Sequence, residues 1–266
     1  MSRADLHDVP ETALWTLRNR AEEALRPGSR FPDPEAVRLY RALGDEDFSR
    51  FGRPGPGHSQ RAAAFDAMVR RFLAEHPSGP VVALGEGLQT AYWRLGRPDV
   101  AWYSVDLPES VALAERLLPA EPAVRRLAMS ALDRAWLDEV PAGPALISAE
   151  GLFMYLPREE VHALIADCAA RFPGGRLVYD SVPPWFSALT LRGRARLSKA
   201  YATPPMPHSQ RSSDLPAVVA AIPGVVAGHE VPVPPARPWD KALLRVADLP
   251  GVRDLRPTIS LLEFAG

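Results

Sequence analysis

Over the first third of the chain, apolar residues recur at intervals of three and four. Leu14, Leu17, Ala21 and Leu25 share one face of a helix predicted over 11–25, and a second helix is predicted over 34–43. Residues 60–76 read as a strongly amphipathic helix with Ala64, Phe65, Met68, Phe72 and Leu73 turned inward. Between these helices, Phe51-Gly52-Arg53-Pro54-Gly55-Pro56-Gly57-His58 reads as a surface loop, because proline and glycine break both regular periods.

From residue 80 the period changes. Short apolar runs at 80–85, 101–106, 123–129, 144–149 and 175–180 alternate with helical stretches near 88–96, 108–118, 133–140 and 157–172. Such alternation predicts a parallel sheet with right-handed crossovers and helices on both faces. Pro157 with Glu159 and Glu160 suits a helix's first turn, and Pro173-Gly174-Gly175 ends that helix. Residues 181–210 carry no period and are rich in Pro, Ser and Arg, with Trp185, Phe186, Tyr201 and Met206 among them. A long irregular stretch inside an α/β domain predicts a functional lid. The tail predicts a helix near 212–222, a strand near 224–231, a helix near 239–248 and a strand near 257–264. The predicted organisation is one domain over 1–266: an N-terminal helical cap over 1–78, then an α/β core over 79–266 with its lid at about 181–210.

Composition narrows the picture only at a few points. A hydrophobic content of 47% supports a full core, and a net charge of −1 disfavours nucleic-acid partners. Cys168 is the only cysteine, so no internal disulfide forms, and it lies on the stripe Val161, Leu164, Ile165, Cys168, Phe172. That spacing makes it a core thiol rather than a nucleophile. The start, Met1-Ser2-Arg3-Ala4-Asp5, is polar and no apolar run reaches membrane-spanning length, so a soluble cytoplasmic protein is expected.

Candidate chemistry begins where the first strand ends. Leu84-Gly85-Glu86-Gly87-Leu88 closes the strand with a tight turn, and Asp106 ends the next strand in Val105-Asp106-Leu107-Pro108. Glycine lets a ligand approach the backbone, and a carboxylate at the second strand's end can accept hydrogen bonds from ribose hydroxyls. A dinucleotide site would want a third glycine where Thr90 stands, so the turn favours a cofactor without phosphates. A nicotinamide-dependent oxidoreductase stays open on the shared strand-glycine-acid pattern. The fourth strand delivers Glu150 to the same edge, where it either meets a cofactor amine or a bound water, or caps a helix. Asp106 and Glu150 have no third ligand at a metal-site spacing.

Four ordered blocks carry a family resemblance. Leu84-Gly85-Glu86-Gly87-Leu88, Val105-Asp106-Leu107-Pro108, Ser130-Ala131-Leu132-Asp133-x-x-Trp136-Leu137-Asp138 and Ala149-Glu150-Gly151-Leu152-x-Met154-Tyr155-Leu156 resemble the leucine carboxyl methyltransferase family, in particular its bacterial branch of polyketide O-methyltransferases. Pro204-Pro205-Met206-Pro207 matches as well, and the resemblance runs from about residue 60 to the end. It implies a class I, Rossmann-like methyltransferase fold: a seven-stranded, mostly parallel sheet with the last strand inserted antiparallel, using S-adenosylmethionine. By position it implies that Arg61 pairs with the methionyl carboxylate and that Gly85 and Gly87 pass beneath the methionyl part. Asp106 and Leu107 would meet the ribose, Ser130, Ala131 and Asp133 the adenine, and Glu150 the methionyl amine. Where the family reads Leu-Asp-Thr-Arg this chain reads Leu88-Gln89-Thr90-Ala91, while the expected Arg94 is present.

The implied reaction is O-methylation of a small molecule, a polyketide or another secondary metabolite, on a phenol or a carboxylate. A phenol benefits from a base and a carboxylate needs none. His208 and Asp180 are the candidate bases, with a solvated loop histidine as the alternative for His208. Tyr155, Tyr179, Trp185 and His208 are the candidates for lining the acceptor pocket, and Trp185 could equally anchor the lid. Gln89 and Ala91 keep open a non-catalytic member that binds a partner.

Overall fold

The computed structural model describes residues 11–44, 48–196, 198–199, 201–237 and 240–266; the polar start at Met1–Asp5 and Trp239, the first residue of a predicted helix, lie outside them. Seven strands form one sheet in the order β3-β2-β1-β4-β5-β7-β6. They are β1 Val81–Leu84, β2 Trp102–Asp106, β3 Val124–Ala128, β4 Leu146–Ala149, β5 Arg176–Ser181, β6 Val225–Glu230 and β7 Thr258–Phe264. β1 to β5 pair in parallel, and β7 runs antiparallel between β5 and β6. This is the seven-stranded arrangement that the resemblance implied. The chain order reverses at β1, which lies between β2 and β4, so the carboxyl ends of those three strands flank the crevice where open α/β sheets bind ligands.

The first strand feeds both faces, as a period of two demands. In β1, Val82 and Leu84 join one core with Val161, Leu164 and Cys168 of α7 (Arg158–Arg171) and Leu215 and Val218 of α9 (Leu215–Ala221). Val81 and Ala83 join the opposite core with Phe65, Val69 and Phe72 of α3 (Gly57–Glu75). Cys168 is fully buried and its thiol is pushed up by burial, so it is a core residue. A third core belongs to the cap. Leu14, Leu17 and Ala21 of α1 (Glu11–Ala24) and Leu39 of α2 (Pro34–Ala42) pack on Leu113 and Ala114 of α5 (Pro108–Leu117) and on Tyr201. The cap is thereby fixed over the glycine turn.

Three expectations change. Leu25 lies past the end of α1 and is exposed rather than on its buried face. The helix expected over 88–96 is only α4, Ala91–Arg94, because Leu88 to Thr90 are spent on the turn. The lid is not wholly irregular, since Pro184–Leu191 forms helix α8 with proline at its start. Helix α6 (Ala135–Glu139) and helix α10 (Asp240–Ala247) complete the set. Among the described residues no helix is long and apolar enough to cross a membrane.

Candidate active site

The turn after β1 has Gly85 at φ +62° and Gly87 at φ +55°, left-handed values that glycine adopts without a Cβ penalty. A Cβ on Gly85 would also come within 3.0 Å of the Leu152 side chain. The turn is held by the acid that ends β2. Asp106 Oδ2 accepts the Gly87 N–H at 2.6 Å and Oδ1 accepts the Leu107 N–H at 2.7 Å. Burial raises the Asp106 carboxyl above its ordinary range, while these two bonds pull it back down. Glycine turn and acid are one unit, and the carboxylate keeps further lone pairs for a ligand.

Across the crevice, Arg61 of α3 reaches two strand ends. Its Nε donates to Glu150 Oε1 at 3.0 Å and its Nη1 to Asp180 Oδ2 at 2.9 Å, and neither bond uses Nη2. Asp180 Oδ1 in turn accepts the Gly151 N–H at 2.6 Å. Gly151 has φ +73°, and a Cβ there would sit 3.1 Å from Arg61 Nη2, so this position takes glycine for space and for backbone conformation alike. Burial alone would lower the Arg61 guanidinium; Asp180 and Glu150 outweigh it and hold it above its usual value. Burial raises the Glu150 carboxyl, with Arg61 and Arg94 opposing. One cation against two carboxylates leaves a surplus negative charge at the crevice, which suits a ligand ammonium. Gln89 Nε2 donates to Glu150 Oε1 at 2.9 Å, while Gln89 Oε1 is buried with no hydrogen-bond partner.

Beneath the turn lies a charge cluster. Arg20, with no solvent exposure, donates to Asp33 at 2.9 Å, to Thr90 Oγ1 at 2.7 Å and to the Leu88 carbonyl at 2.7 Å. Arg94 grips Asp66 with two bonds of 2.7 and 2.8 Å and Asp33 with a third of 2.9 Å. The segment Leu88 to Thr90 is thus tied down from α1, α2 and α3, without an acid at 89 or a base at 91.

These elements enclose a cavity of about 1440 Å³. Arg61, Gly85, Gly87, Asp106, Leu107, Ser130, Ala131, Glu150, Tyr155 and Asp180 all reach its wall. Four expected residues do not. Asp133 accepts the Ala135 N–H at 3.1 Å and caps the start of α6. Tyr179 alternates with Asp180 along β5 and so points into the opposite core, its hydroxyl donating to Gln210 Oε1 at 2.6 Å and pushed up to about 12 by burial. Trp185 is half exposed and its Nε1 donates to the Leu255 carbonyl at 2.8 Å, which makes it a lid anchor. His208 is not a solvated loop residue either: it is buried, both ring nitrogens lack partners, and burial pushes it down to about 4. None of the last three can touch an acceptor in this cavity. The wall instead presents Trp15, Phe51, His58, Phe186 and Met206, which the sequence reading passed over. His58 stands three residues before Arg61 on one helix, a spacing that puts both on the same face.

Residues 13–169 match the family model described as leucine carboxyl methyltransferase. The tetracenomycin polyketide synthesis O-methyltransferase TcmP of Streptomyces glaucescens is 36% identical over 185 residues, 68% of this chain and 68% of that protein. Among solved structures, a Thermobifida fusca protein assigned as a methyltransferase aligns with a TM-score of 0.54 at 17% identity, over 86% of this chain and 94% of the other. The plantazolicin methyltransferase BpumL, solved in complex with SAH, aligns with a TM-score of 0.51 at 10% identity, over 96% of this chain and 98% of the other. At such identities these structures bear on the fold alone, which is the class I, Rossmann-like one.

Proposed function

Because the chain belongs to the leucine carboxyl methyltransferase family, and so is an S-adenosylmethionine-dependent methyltransferase, we propose that it methylates an oxygen of a flat, largely apolar small molecule such as a polyketide. The family membership sets aside both the nicotinamide oxidoreductase and the non-catalytic partner protein. One observation carries the reading: the Gly85–Gly87–Asp106 unit and the Arg61–Glu150–Asp180 cluster face each other across one cavity. The residues fit the cofactor. Glu150 supplies acceptors for an ammonium, Arg61 Nη2 supplies a donor for a carboxylate, and Asp106 supplies acceptors for a ribose. Ser130 and Ala131, beyond β3, would border the adenine, whereas Asp133 is committed to α6.

A cavity of about 1440 Å³ exceeds the roughly 300–1,000 Å³ of a single small-ligand pocket, so a cofactor and an acceptor fit together. The acceptor would lie against Trp15, Phe51, Tyr155, Phe186 and Met206. When bound, the cofactor supplies an electrophilic methyl group on sulfur. The chain's part is to align an oxygen with it and to exclude water, and such alignment is worth effective molarities of about 10⁵–10⁸ M in favourable cases. A cytoplasmic site of action belongs to the same proposal.

Calorimetry with S-adenosylhomocysteine and mass-spectrometric screening for a methyl gain on phenols and aryl carboxylic acids test it. No binding would sink the cofactor assignment, and a methyl gain on nitrogen or carbon substrates alone would sink the oxygen assignment. Asp106→Ala should weaken binding about 100-fold, since it removes charged acceptors from two hydroxyls at about 1.5 kcal/mol or more each. Unchanged affinity would remove Asp106 from the ribose site.

A further inference from the structure

His58 is the second residue of α3, one helical turn before Arg61, and lies half-buried on the cavity wall. Its ring meets Trp15 edge-on, with centroids 4.4 Å apart and planes at 85°. Its Nδ1 stands 2.7 Å from Nδ2 of Asn19, a buried residue of α1. As placed, the Asn19 amide turns Nδ2 toward Nδ1 and leaves its own Oδ1 buried without a partner; in that orientation Nδ1 presents its lone pair and the proton of the neutral ring sits on Nε2. Among the described residues no hydrogen bond uses Nε2, and it is not among the sealed, unpartnered atoms of the interior. Ring and tautomer are fixed from behind, and an N–H is left for whatever occupies the cavity.

The charges around His58 keep that ring neutral. Arg61 on its own helix and Arg20 on α1 face it, and burial with these two cations drives the imidazole well below its ordinary value. The acids nearby are committed elsewhere: Glu150 and Asp180 to Arg61, and Asp33 to Arg20 and Arg94. Among the described residues no carboxylate bonds the ring to stabilise an imidazolium. An imidazole of this kind is a poor proton acceptor and a good neutral donor, the same logic by which a histidine at a helix N-terminus polarises a carbonyl in triosephosphate isomerase.

We propose that His58 binds the methyl acceptor by donating its Nε2–H to an acceptor oxygen, with Asn19 setting the tautomer, and that it orients this oxygen rather than removing a proton from it. The inference rests on the methyltransferase reading of the cavity. It assigns an acceptor that carries a carbonyl or carboxylate oxygen beside the aromatic surface, in place of a base-dependent alcohol.

The test uses the full chain, ¹⁵N-labelled, bound to S-adenosylhomocysteine, with 1-hydroxy-2-naphthoate as the acceptor probe. Long-range ¹H–¹⁵N spectra, assigned by the signal lost in His58→Gln, should show the neutral Nε2–H tautomer at neutral pH and no titration near 6.5. Adding the probe should shift the Nε2 resonance. Asn19→Leu removes the donor behind the ring, so the neutral ring should lose its preference for the Nε2–H tautomer. His58→Ala should weaken probe binding about tenfold, the worth of one buried hydrogen bond, and His58→Gln, which keeps an N–H, should weaken it less. S-adenosylhomocysteine affinity should be unchanged in all three. An Nδ1–H tautomer, a ring that titrates near 6.5, a silent Nε2 resonance, or full probe affinity in His58→Ala would each overturn the proposal. The wild-type spectra decide it even where a variant fails to fold. Absence of S-adenosylhomocysteine binding by the wild type would instead strike at the cofactor assignment, in a separate titration.

Discussion

Asp33 receives four donors: Arg20 and Arg94 at 2.9 Å each, the Thr90 hydroxyl at 2.6 Å and the Ala36 N–H at 3.1 Å. Burial alone would raise its carboxyl, but Arg20 and Arg94 hold it below the usual range. A depressed carboxyl contributes stability above its unfolded value, and the contribution is lost as pH falls through the folded one. Asp33→Ala leaves Arg20 buried with no acid bonded to it and Arg94 with Asp66 alone, so it should cost about 3–5 kcal/mol in urea unfolding. A loss under about 1 kcal/mol would mean that Asp66 alone neutralises the cluster. Asp33 caps α2, its side chain accepting the Ala36 N–H. Its second duty depends on Arg20 and Arg94, which only the folded chain brings to it. Asp106 and Glu150 were legible because strand ends deliver them to one edge. Asn19 and His58 carry no such local signal.

Strands were easier to read than the lid, and α8 shows why. Its buried positions are Ser187 and Thr190, while Trp185 and Leu191 are exposed, so a reading that turns apolar residues inward fails there. The polar side chains are buried because they stitch the lid to itself. Ser187 Oγ donates to the Met206 carbonyl at 2.6 Å, and Thr190 Oγ1 accepts the Met206 N–H at 3.0 Å. Between those stitches runs a strap with Arg192, Arg194 and Arg196 exposed, joined to the cap where Tyr201 meets Phe51 edge-on at 5.1 Å and Ser198 meets the Arg50 carbonyl. Thr190→Val keeps the shape but strands the Met206 N–H, at about 1–3 kcal/mol. Trypsin cleavage at the strap arginines should then quicken at least about fivefold, because local opening becomes that much more frequent. An unchanged rate would mean that the strap is held from the cap side alone.

At the scale of the whole molecule, the glycine turn couples folding to protons. Glu86 stands between Gly85 and Gly87, accepts the Trp102 Nε1–H at 3.0 Å, and is hydrogen-bonded to Ser104. Burial pushes its carboxyl up to about 7; Ser104, Trp102 and Arg126 pull it down and Asp106 pushes it further up. With a folded value above the ordinary 4.5, the folded chain holds a proton that the unfolded chain releases. Stability from this group is therefore full below the unfolded value and declines as pH rises toward the folded one, by at most about 1.4 kcal/mol per pH unit. Glu150 and Asp106, also raised by burial, tilt the curve the same way, while Asp33 opposes them only in more acid solution. Glu86→Gln separates its share, because an amide can accept from Trp102 and donate to Ser104 without titrating. Urea unfolding between about pH 5 and about pH 8 should show a shallower decline in the variant, which gains about 1–3 kcal/mol over wild type at the alkaline end and little at the acid end. Parallel curves would mean that Glu86 ionises like an exposed carboxylate and that the decline belongs to Glu150 and Asp106, the two acids that a bound cofactor would cover.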